Sequence, residues 1–283
     1  MPAMPTTVCR VGSLEIGGTA VPLTVIAGPC VLEDEATNRR IGLFLRDLCG
    51  ELGLPLVFKA SFDKANRSSV ESPRGPGLQA GLQMLAELGR ELGVPTTTDV
   101  HEPHQAAAAA EHVDLLQVPA FLCRQTDLLA ACAATGRPVN VKKGQFLSPD
   151  EMRHVVGKLE AAGATGIVLT ERGTFFGYGR LVNDFIGLAD MADIGPPVCF
   201  DVTHSTQLPG AGRGVTAGRP ERARSLCRAA VAAGVNALFL ETHPDPVRAR
   251  SDAATQQPFE EVDRMLREAV AIAKALAIVA VDA

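Results

Sequence analysis

Lysine is scarce in this sequence: its 283 residues include 21 arginines but only six lysines. Basic residues as a whole do not dominate either, because 27 of them stand against 32 acidic residues and the formal net charge is −5. A protein that binds nucleic acid through a basic face is therefore not expected. Since the generic surface cations of this chain are arginines, the positions of the few lysines are informative.

The sequence also lacks any apolar run close to the roughly 20 residues that a membrane-spanning helix needs. Its first residues, MPAMPTTVCR, do not combine a basic region with an apolar one, so no signal peptide is expected. The seven cysteines are odd in number and have no disulfide-like spacing, which is typical of reduced thiols. These absences together predict a cytoplasmic protein.

Eight short β-rich segments alternate with amphipathic helical patterns along the chain. Because strand–helix alternation favours parallel pairing, eight repeats predict a (β/α)8 TIM barrel, for which about 250 residues is typical. We expect a single domain over residues 1–283. The predicted strands occupy residues 22–28, 55–61, 94–100, 114–120, 138–144, 166–172, 197–203 and 237–243.

The alternative architecture is an open, doubly wound sheet. That fold would need a phosphate-binding fingerprint such as GxGxxG after the first strand, and the sequence has none there. Ahead of the first barrel strand, the segment VCRVGSLEIGGTA (about residues 8–20) alternates around a Gly-Gly pair. This pattern predicts a short β-hairpin, which could close the bottom of the barrel.

Every predicted strand ends in polar or ionisable side chains. In a (β/α)8 barrel these ends meet at one rim, where the active site lies. Four of the six lysines fall at two of the ends, so this acidic protein is predicted to carry a basic cavity that suits an anionic, phosphorylated substrate. The rim residues are, in strand order, Cys30; Lys59, Asp63 and Lys64; Asp99 and His101; Gln117; Lys142 and Lys143; Glu171 and Arg172; Asp201 and His204; and Glu241 and His243.

Eight motifs spread over nearly the whole chain form a recognisable set: IAGPC, FKASFDKANRSS, TDVHE, LLQVPAFLCRQTDLL, VNVKKGQFLSP, ERGTFFGYGRLVND, FDVTHSTQLPG and SDAATQQP. Together they resemble the 3-deoxy-D-manno-octulosonate 8-phosphate synthases, also called 2-dehydro-3-deoxyphosphooctonate aldolases. KANRSS is quite specific, since the related heptulosonate phosphate synthases typically carry Lys-Pro-Arg-Thr there.

The resemblance implies a transferase of lipopolysaccharide biosynthesis that acts as a homotetramer. Such enzymes condense phosphoenolpyruvate with D-arabinose 5-phosphate and water, giving 3-deoxy-D-manno-octulosonate 8-phosphate and phosphate. By the same resemblance, Asn66, Arg67 and Ser68 contact arabinose 5-phosphate. The residues implied for phosphoenolpyruvate are Lys59, Lys64, Gln117, Arg124, Lys142 and Arg172.

A cysteine, Cys30, stands where the first apolar strand ends in IAGPC. The family divides into metal-dependent members, with Cys at this strand end, and metal-independent members, with Asn. The resemblance therefore implies a divalent metal held by Cys30, His204, Glu241 and Asp252, and a set of thiolate, imidazole and carboxylate ligands suits zinc, iron or manganese more than magnesium. The implied catalytic residues are Lys64, Lys142, Cys30, His204 and Asp252.

Two other functions remain open from the sequence. One is a heptulosonate phosphate synthase that uses erythrose 4-phosphate, against which KANRSS argues. The other is a non-catalytic barrel that binds sugar phosphates, which would need no metal ligands. Without the resemblance, the simpler interpretation of Cys30 is a packed thiol. The long loop after the eighth strand could be either a lid or a subunit contact.

Overall fold

Eight parallel strands close into a barrel in the computed structural model of the chain. The structure describes residues 4, 6–18, 23–66, 71–175, 179–211 and 217–281. All eight strands predicted from the sequence are present, which confirms the TIM barrel. They are β3 (Thr24–Gly28), β4 (Leu56–Lys59), β5 (Thr96–Asp99), β6 (Leu115–Val118), β7 (Val139–Lys142), β8 (Ile167–Glu171), β11 (Val198–Asp201) and β14 (Ala237–Glu241).

Helices surround the barrel, and each buries an apolar stripe against it. In the second helix, Leu82, Leu85, Leu88 and Leu92 are buried, as the 3.6-residue period predicts. The helices are α1 (Glu35–Leu52), α2 (Leu78–Leu92), α3 (Gln105–Ala110), α4 (Thr126–Ala133), α5 (Met152–Ala161), α6 (Ile186–Ala192), α7 (Ala223–Ala233) and α8 (Phe259–Val281).

Two-stranded ribbons complete the described structure. The N-terminal hairpin pairs β1 (Val8–Val11) with β2 (Leu14–Gly17). At the carboxyl ends of the barrel strands, β9 (Thr174–Phe175) pairs with β10 (Leu181–Val182), and β12 (Gln207–Leu208) pairs with β13 (Ala217–Gly218).

The apolar core has two parts because successive side chains of a strand point to opposite faces. Leu56 and Phe58 of β4 point outward into the layer between barrel and helices, whereas Val57 points into the barrel. The interior cluster contains apolar side chains from β3, β4, β6, β8, β11 and β14. A closed barrel of this size is filled by side chains and is not a pore.

The N-terminal hairpin closes the bottom of the barrel, as predicted. Cys9, Val11 and Ile16 are at most 1% exposed and belong to the interior cluster. A Cβ on Gly12 in the hairpin turn would lie 3.1 Å from Pro95 Cγ, just ahead of β5. The hairpin therefore lies at the amino ends of the strands and leaves the carboxyl ends for the functional site.

All seven cysteines lie in the described part of the chain, and each is a buried free thiol. Among the described residues, no helix is long and apolar enough to cross a membrane. The assignment of residues 1–283 to a single domain stays a prediction.

Candidate active site

A cavity of about 590 Å³ opens at the carboxyl ends of the barrel strands. Its wall combines cationic, anionic and amide side chains with the partly exposed rings of Phe121 and Phe175. The structure thus brings most of the predicted site residues to one place. Those that line the cavity are Lys59, Lys64, Asn66, Gln117, Lys142, Arg172, His204, Glu241 and Asp252.

Lys142 is fixed from several sides. Its Nζ lies 2.6 Å from Asp201 Oδ2 and 3.5 Å from His204 Nδ1. The same ammonium lies 3.5 Å from the centre of the Phe239 ring, within cation–π distance. Asp201 thus orients Lys142. The lysine head group is held at the floor of the cavity and cannot swing freely into solvent.

Two more lysines pair with buried acids. Lys59 Nζ lies 2.5 Å from Glu241 Oε1 and 2.9 Å from the carbonyl oxygen of Cys30. Lys64 Nζ lies 3.9 Å from Asp99 Oδ2. Burial by itself lowers the pKa of Lys64, but the charges of Cys30, Glu241 and Asp99 outweigh it and raise the pKa above its usual value. Lys64 therefore remains cationic at neutral pH.

Candidate metal ligands meet on the side of the cavity formed by β3 and β14. Ligand atoms of Cys30, Glu241 and Asp252 lie within 4.8 Å of one another. His204 approaches them through Nε2, which is 3.6 Å from Glu241 Oε2 and 3.8 Å from Asp252 Oδ2. The structure therefore gathers the four residues that the resemblance implied from three distant parts of the chain, which lie at or after the ends of β3, β11 and β14.

The histidine in this cluster is oriented for ligation. His204 Nδ1 lies 2.8 Å from Asp201 Oδ2, and the His204 backbone N–H donates to Asp201 Oδ1 at 2.9 Å. A carboxylate at one ring nitrogen leaves the other free for a metal, and this is the usual arrangement around a metal-bound histidine. Asp201 is thus placed to orient His204 as well as Lys142.

The charges of this cluster also fit a divalent cation. Burial, reinforced by the charges of Asp252 and Glu241, raises the pKa of the Cys30 thiol well above its usual value. Glu241 Oε2 is buried and has no hydrogen-bond partner among the described residues. Burial lowers the pKa of His204, but Asp201 outweighs it and raises that pKa. These groups favour a positive charge beside them, so the residues present suit a metal ion.

A chain of buried hydrogen bonds crosses the barrel beneath the cavity. Thr170 Oγ1 donates to Asn140 Oδ1 at 2.6 Å, and Asn140 Nδ2 donates to Gln117 Oε1 at 3.1 Å. Gln117 Nε2 then donates to Asp99 Oδ1 at 2.5 Å, and Ser61 Oγ donates to Asp99 Oδ2. Because the carboxylate only accepts, the direction of the whole chain is set. Gln117 Nε2 has no second acceptor among the described residues, so its other N–H can donate to a ligand.

Lys143, one of the lysines predicted to lie in the basic cavity, lies elsewhere in the structure. Lys143 is fully buried and is not among the described residues that line the cavity. Its Nζ donates to Leu147 O and Thr174 Oγ1 and lies 3.4 Å from Glu171 Oε2. Because neighbouring side chains of a strand point to opposite faces, Lys142 and Lys143 cannot both face the barrel axis. The expectation that both belong to the cavity was wrong.

Three predicted substrate residues are not placed in the cavity. Arg124 is exposed and is not among the described residues that line it. Arg67 and Ser68 lie outside the described residues. Their proposed roles stay predictions. Cys30 is buried behind the wall, although the neighbouring Ser251 lines the cavity and its Oγ lies 3.0 Å from Cys30 Sγ.

Sequence reasoning missed Gln207, which lines the cavity and contacts both a cation and an acid. It lies in the motif FDVTHSTQLPG, three residues after His204, so its proximity to the site could have been noticed. Its two contacts could not, because Arg172 and Asp252 come from different loops.

A closed parallel barrel with a charged cavity at the carboxyl ends of its strands is the architecture of a (β/α)8-barrel enzyme. A family model described as the DAHP synthetase I family matches residues 7–276. The chain belongs to this family.

Curated relatives cover most of the chain at about half identity, and they share one name. The 2-dehydro-3-deoxyphosphooctonate aldolase of Acidithiobacillus ferrooxidans is 51% identical over 250 residues, which are 88% of this chain and 89% of the relative. The protein of that name from Syntrophotalea carbinolica is 49% identical over 269 residues, 95% of this chain and 96% of the relative. That from Alkalilimnicola ehrlichii is 53% identical over 245 residues, 87% of this chain and 88% of the relative. The resemblance drawn from the motifs is confirmed.

Proposed function

We propose that this chain condenses phosphoenolpyruvate with D-arabinose 5-phosphate and water to give 3-deoxy-D-manno-octulosonate 8-phosphate and phosphate. The name shared by its curated relatives supports this reaction. The structural observation that carries it is the convergence of Lys64, Lys142 and Arg172 on one cavity beside the cluster of Cys30, Glu241 and Asp252. Cations for an anionic substrate and ligands for a metal are therefore adjacent.

Phosphoenolpyruvate is the substrate that the inner cavity suits. It carries a carboxylate and a phosphate, and ammonium and guanidinium groups bind such anions through charge-assisted hydrogen bonds. Arg172 Nη1 is buried without a hydrogen-bond partner among the described residues, so it has a donor to offer. Lys64, Lys142 and the Gln117 amide add donors, and Lys59 and Arg124 complete the proposed set.

Arabinose 5-phosphate would bind farther out, with Arg67 and Ser68 as further contacts. Asn66 lines the cavity at an exposed position, at the start of the KANRSS loop. A sugar phosphate held there by its phosphate would direct its aldehyde toward the floor, where the enol carbon of phosphoenolpyruvate lies. Holding both reactants in this way supplies the proximity that a two-substrate condensation needs.

Cys30, His204, Glu241 and Asp252 would hold the divalent metal, which we propose to be zinc, iron or manganese. A metal of this kind acts as a Lewis acid or lowers the pKa of a bound water. The protein's own cations contribute separately: Lys64 and Lys142 are placed to stabilise negative charge that develops on the substrates. In this role Lys64 can also give a proton to the oxygen that forms from the aldehyde.

The reaction forms one carbon–carbon bond and one carbon–oxygen bond from water, and it breaks the carbon–oxygen bond to phosphate. The enol carbon attacks the aldehyde carbon, whose oxygen gains a proton, and water adds to the carbon that bears the phosphate. Phosphate then leaves as that centre becomes a ketone. Arg172 and Lys142 are suited to hold the departing phosphate because their donors face the cavity. We also propose a cytoplasmic homotetramer that serves lipopolysaccharide biosynthesis.

The test is phosphate release from phosphoenolpyruvate in the presence of each candidate sugar phosphate. We expect release with arabinose 5-phosphate and little with erythrose 4-phosphate. A preference for erythrose 4-phosphate would favour a heptulosonate phosphate synthase, a function that the family description also admits. No release with any pentose or tetrose phosphate, from protein loaded with metal, would leave a non-catalytic sugar-phosphate-binding barrel.

A further inference from the structure

Gln207 lies between a predicted substrate-binding cation and a predicted metal ligand. Its Oε1 accepts a hydrogen bond from Arg172 Nη2 at 2.5 Å, and its Nε2 donates to Asp252 Oδ1 at 3.3 Å. Three segments meet at this amide: the end of β8, the start of β12 and the loop after β14. One neutral side chain thus connects a buried guanidinium to a carboxylate across the cavity.

The orientation of this amide is not open to choice. A guanidinium has only donors and an ionised carboxylate has only acceptors. Oε1 of Gln207 must therefore face Arg172, and Nε2 must face Asp252. Because the guanidinium can only donate, Arg172 fixes Oε1, and the Nε2 atom that remains is the one that donates to Asp252 Oδ1.

At Asp252, the two carboxylate oxygens have different partners. Oδ1 accepts from Gln207, while Oδ2 lies 3.0 Å from Cys30 Sγ and 3.8 Å from His204 Nε2. The backbone at Asp252 has φ 48°, which few residues other than glycine adopt. Ser251 Oγ also donates to Oδ2, at 3.4 Å, so Gln207 is the partner that holds the other oxygen, Oδ1.

At Arg172, the same amide occupies one end of the guanidinium. Nη2 donates to Gln207, whereas Nη1 is buried with no hydrogen-bond partner in the described part of the chain. Fixing one end of a planar fork fixes the direction of the other. The free Nη1 donor therefore points in one fixed direction. Arg172 is only 4% exposed, so its guanidinium is held within the wall of the cavity.

The backbone that carries Gln207 is itself held against the segment that follows Asp252. Gln207 pairs with Gly218 in the β12–β13 ribbon. A Cβ on Gly218 would lie 2.2 Å from Thr255 Cγ2 and 2.8 Å from Ala254 O, so the ribbon and that segment are in tight contact. Gln207 is thus built into the wall and is not a flexible side chain that happens to reach two neighbours.

We propose that Gln207 is a positioning residue for both halves of the site: it aims the Asp252 carboxylate at the metal and the Arg172 guanidinium at phosphoenolpyruvate. This inference rests on the proposed function for the identity of the two ligands. It gives one amide a role in metal binding, through Asp252, and in phosphoenolpyruvate binding, through Arg172. Two simpler roles compete with it, namely filling space and touching the substrate directly.

The test is Gln207→Met, which keeps the length of the side chain and removes both hydrogen bonds. Zn²⁺ affinity is measured without substrate by competition with a chromophoric chelator, and phosphoenolpyruvate affinity by calorimetry. Outer-shell partners of metal ligands typically contribute ten- to a hundredfold in metal affinity. We expect a loss of about that size for Zn²⁺ and of about tenfold or more for phosphoenolpyruvate.

Two further variants separate positioning from space filling. Gln145→Met makes the same chemical change at another glutamine of the cavity wall and should leave Zn²⁺ affinity at the wild-type value. Gln207→Asn keeps the amide but is one methylene shorter, so it should lose Zn²⁺ affinity like Gln207→Met while disturbing packing less. Thermal unfolding of each variant confirms that the protein measured is folded.

A double-mutant cycle separates positioning from direct contact with the substrate. If Gln207 acts through Arg172, then Gln207→Met causes no further loss of phosphoenolpyruvate affinity in an Arg172→Met background. An undiminished further loss there would overturn the role at Arg172. Wild-type Zn²⁺ affinity in both Gln207 variants would overturn the role at Asp252. These measurements need no turnover, so failure of the proposed reaction would appear separately, as absent phosphate release by the wild type.

Discussion

Cys30 Sγ lies 3.0 Å from Asp252 Oδ2, although 222 residues separate them in the sequence. The thiol follows the first strand of the barrel, and the carboxylate lies in the loop that follows the last. Closure of the barrel pairs β14 with β3 and so brings the two ends together. A thiolate beside two carboxylates is stable only with a cation nearby, which makes Cys30 the residue on which the metal proposal is most directly tested.

A chelator should inactivate the wild type, and an added divalent ion should restore it. Cys30→Ala should bind metal poorly and stay inactive even with metal present, because the loss of one of four ligands is hard to offset. Metal content by elemental analysis and the rate of phosphate release check this. A wild type that keeps full activity after its metal is verifiably removed would contradict the metal proposal and return Cys30 to a packed thiol.

Cys30→Asn is the sharper substitution. In the family that this chain resembles, the metal-independent members carry Asn at this strand end, so a neutral hydrogen-bonding group there is compatible with the barrel. We expect the variant to lose tight metal binding yet keep measurable activity with chelator present. The comparison is with Cys30→Ala, which offers no hydrogen bond. Equal inactivity of the two variants with chelator would show that the amide cannot take over.

Replacing Lys142 by Met should reduce turnover to background while the chain still folds. The ammonium lies in the cavity and pairs with buried Asp201, and breaking a buried pair costs about 3–5 kcal/mol. Asp201 keeps both hydrogen bonds from His204, so we expect the lower end of that range. Initial rates and denaturant unfolding measure the two effects. The control is Lys274→Met, which makes the same change at an exposed position of α8. Near-normal activity of Lys142→Met would show that Lys142 is not part of the site.

Arg67→Ala should weaken binding of arabinose 5-phosphate far more than binding of phosphoenolpyruvate. This prediction rests on the KANRSS motif, since Arg67 lies outside the described residues. A lost charge-assisted contact costs about 1.5–3 kcal/mol, or roughly ten- to a hundredfold in affinity. Calorimetry with each substrate gives the two dissociation constants. Equal losses for both would contradict the proposed division of the cavity.

Asn140→Leu should raise the KM for phosphoenolpyruvate, because Gln117 Oε1 loses the hydrogen bond from Asn140 that helps to hold the amide in place. The variant should also lose stability, since Gln117 Oε1 is left buried without a partner at about 1–3 kcal/mol, whereas Thr170 keeps its side-chain hydrogen bond with Cys199. Thr170→Val is the matched control: it removes the far end of the chain of hydrogen bonds and keeps the bond from Asn140 to Gln117. A KM raised equally in both variants would show that general loosening is the cause.

Ile16→Ala in the N-terminal hairpin should lower the free energy of unfolding by about 2–4 kcal/mol, because its side chain fills the bottom of the barrel. Val8→Ala in the same hairpin should change it by less than about 0.5 kcal/mol, since Val8 is 46% exposed. Urea unfolding measures both. Similar small effects would mean that the hairpin does not support the barrel.

Most of the fold could be predicted because it depends on local patterns. Short β-rich segments alternate with 3.6-period helices, and the eight strands follow from that alternation. The hairpin was also predictable, from its alternation around Gly-Gly. Strand ends could then be read as site residues because parallel strands of a barrel direct their carboxyl ends to one rim.

Side-chain direction at the rim was less predictable. Lys142 and Lys143 are neighbours at one strand end, and a list of strand ends places both in the cavity. The structure points Lys142 to Asp201 in the site and Lys143 to Glu171 outside it. The alternation of a strand forbids two neighbours on one face, but which of them faces inward depends on register within the barrel.

The sequence by itself determined the class of fold, the supply of cations and ligands at the strand ends, and the family to which its motifs belong. Only the tertiary structure decided which of these groups touch. Cys30 reaches Asp252 because the barrel closes, and Gln207 joins Arg172 to Asp252 because three separate loops pack together. Contacts between loops distant in sequence depend on packing of the whole chain, which no local pattern encodes.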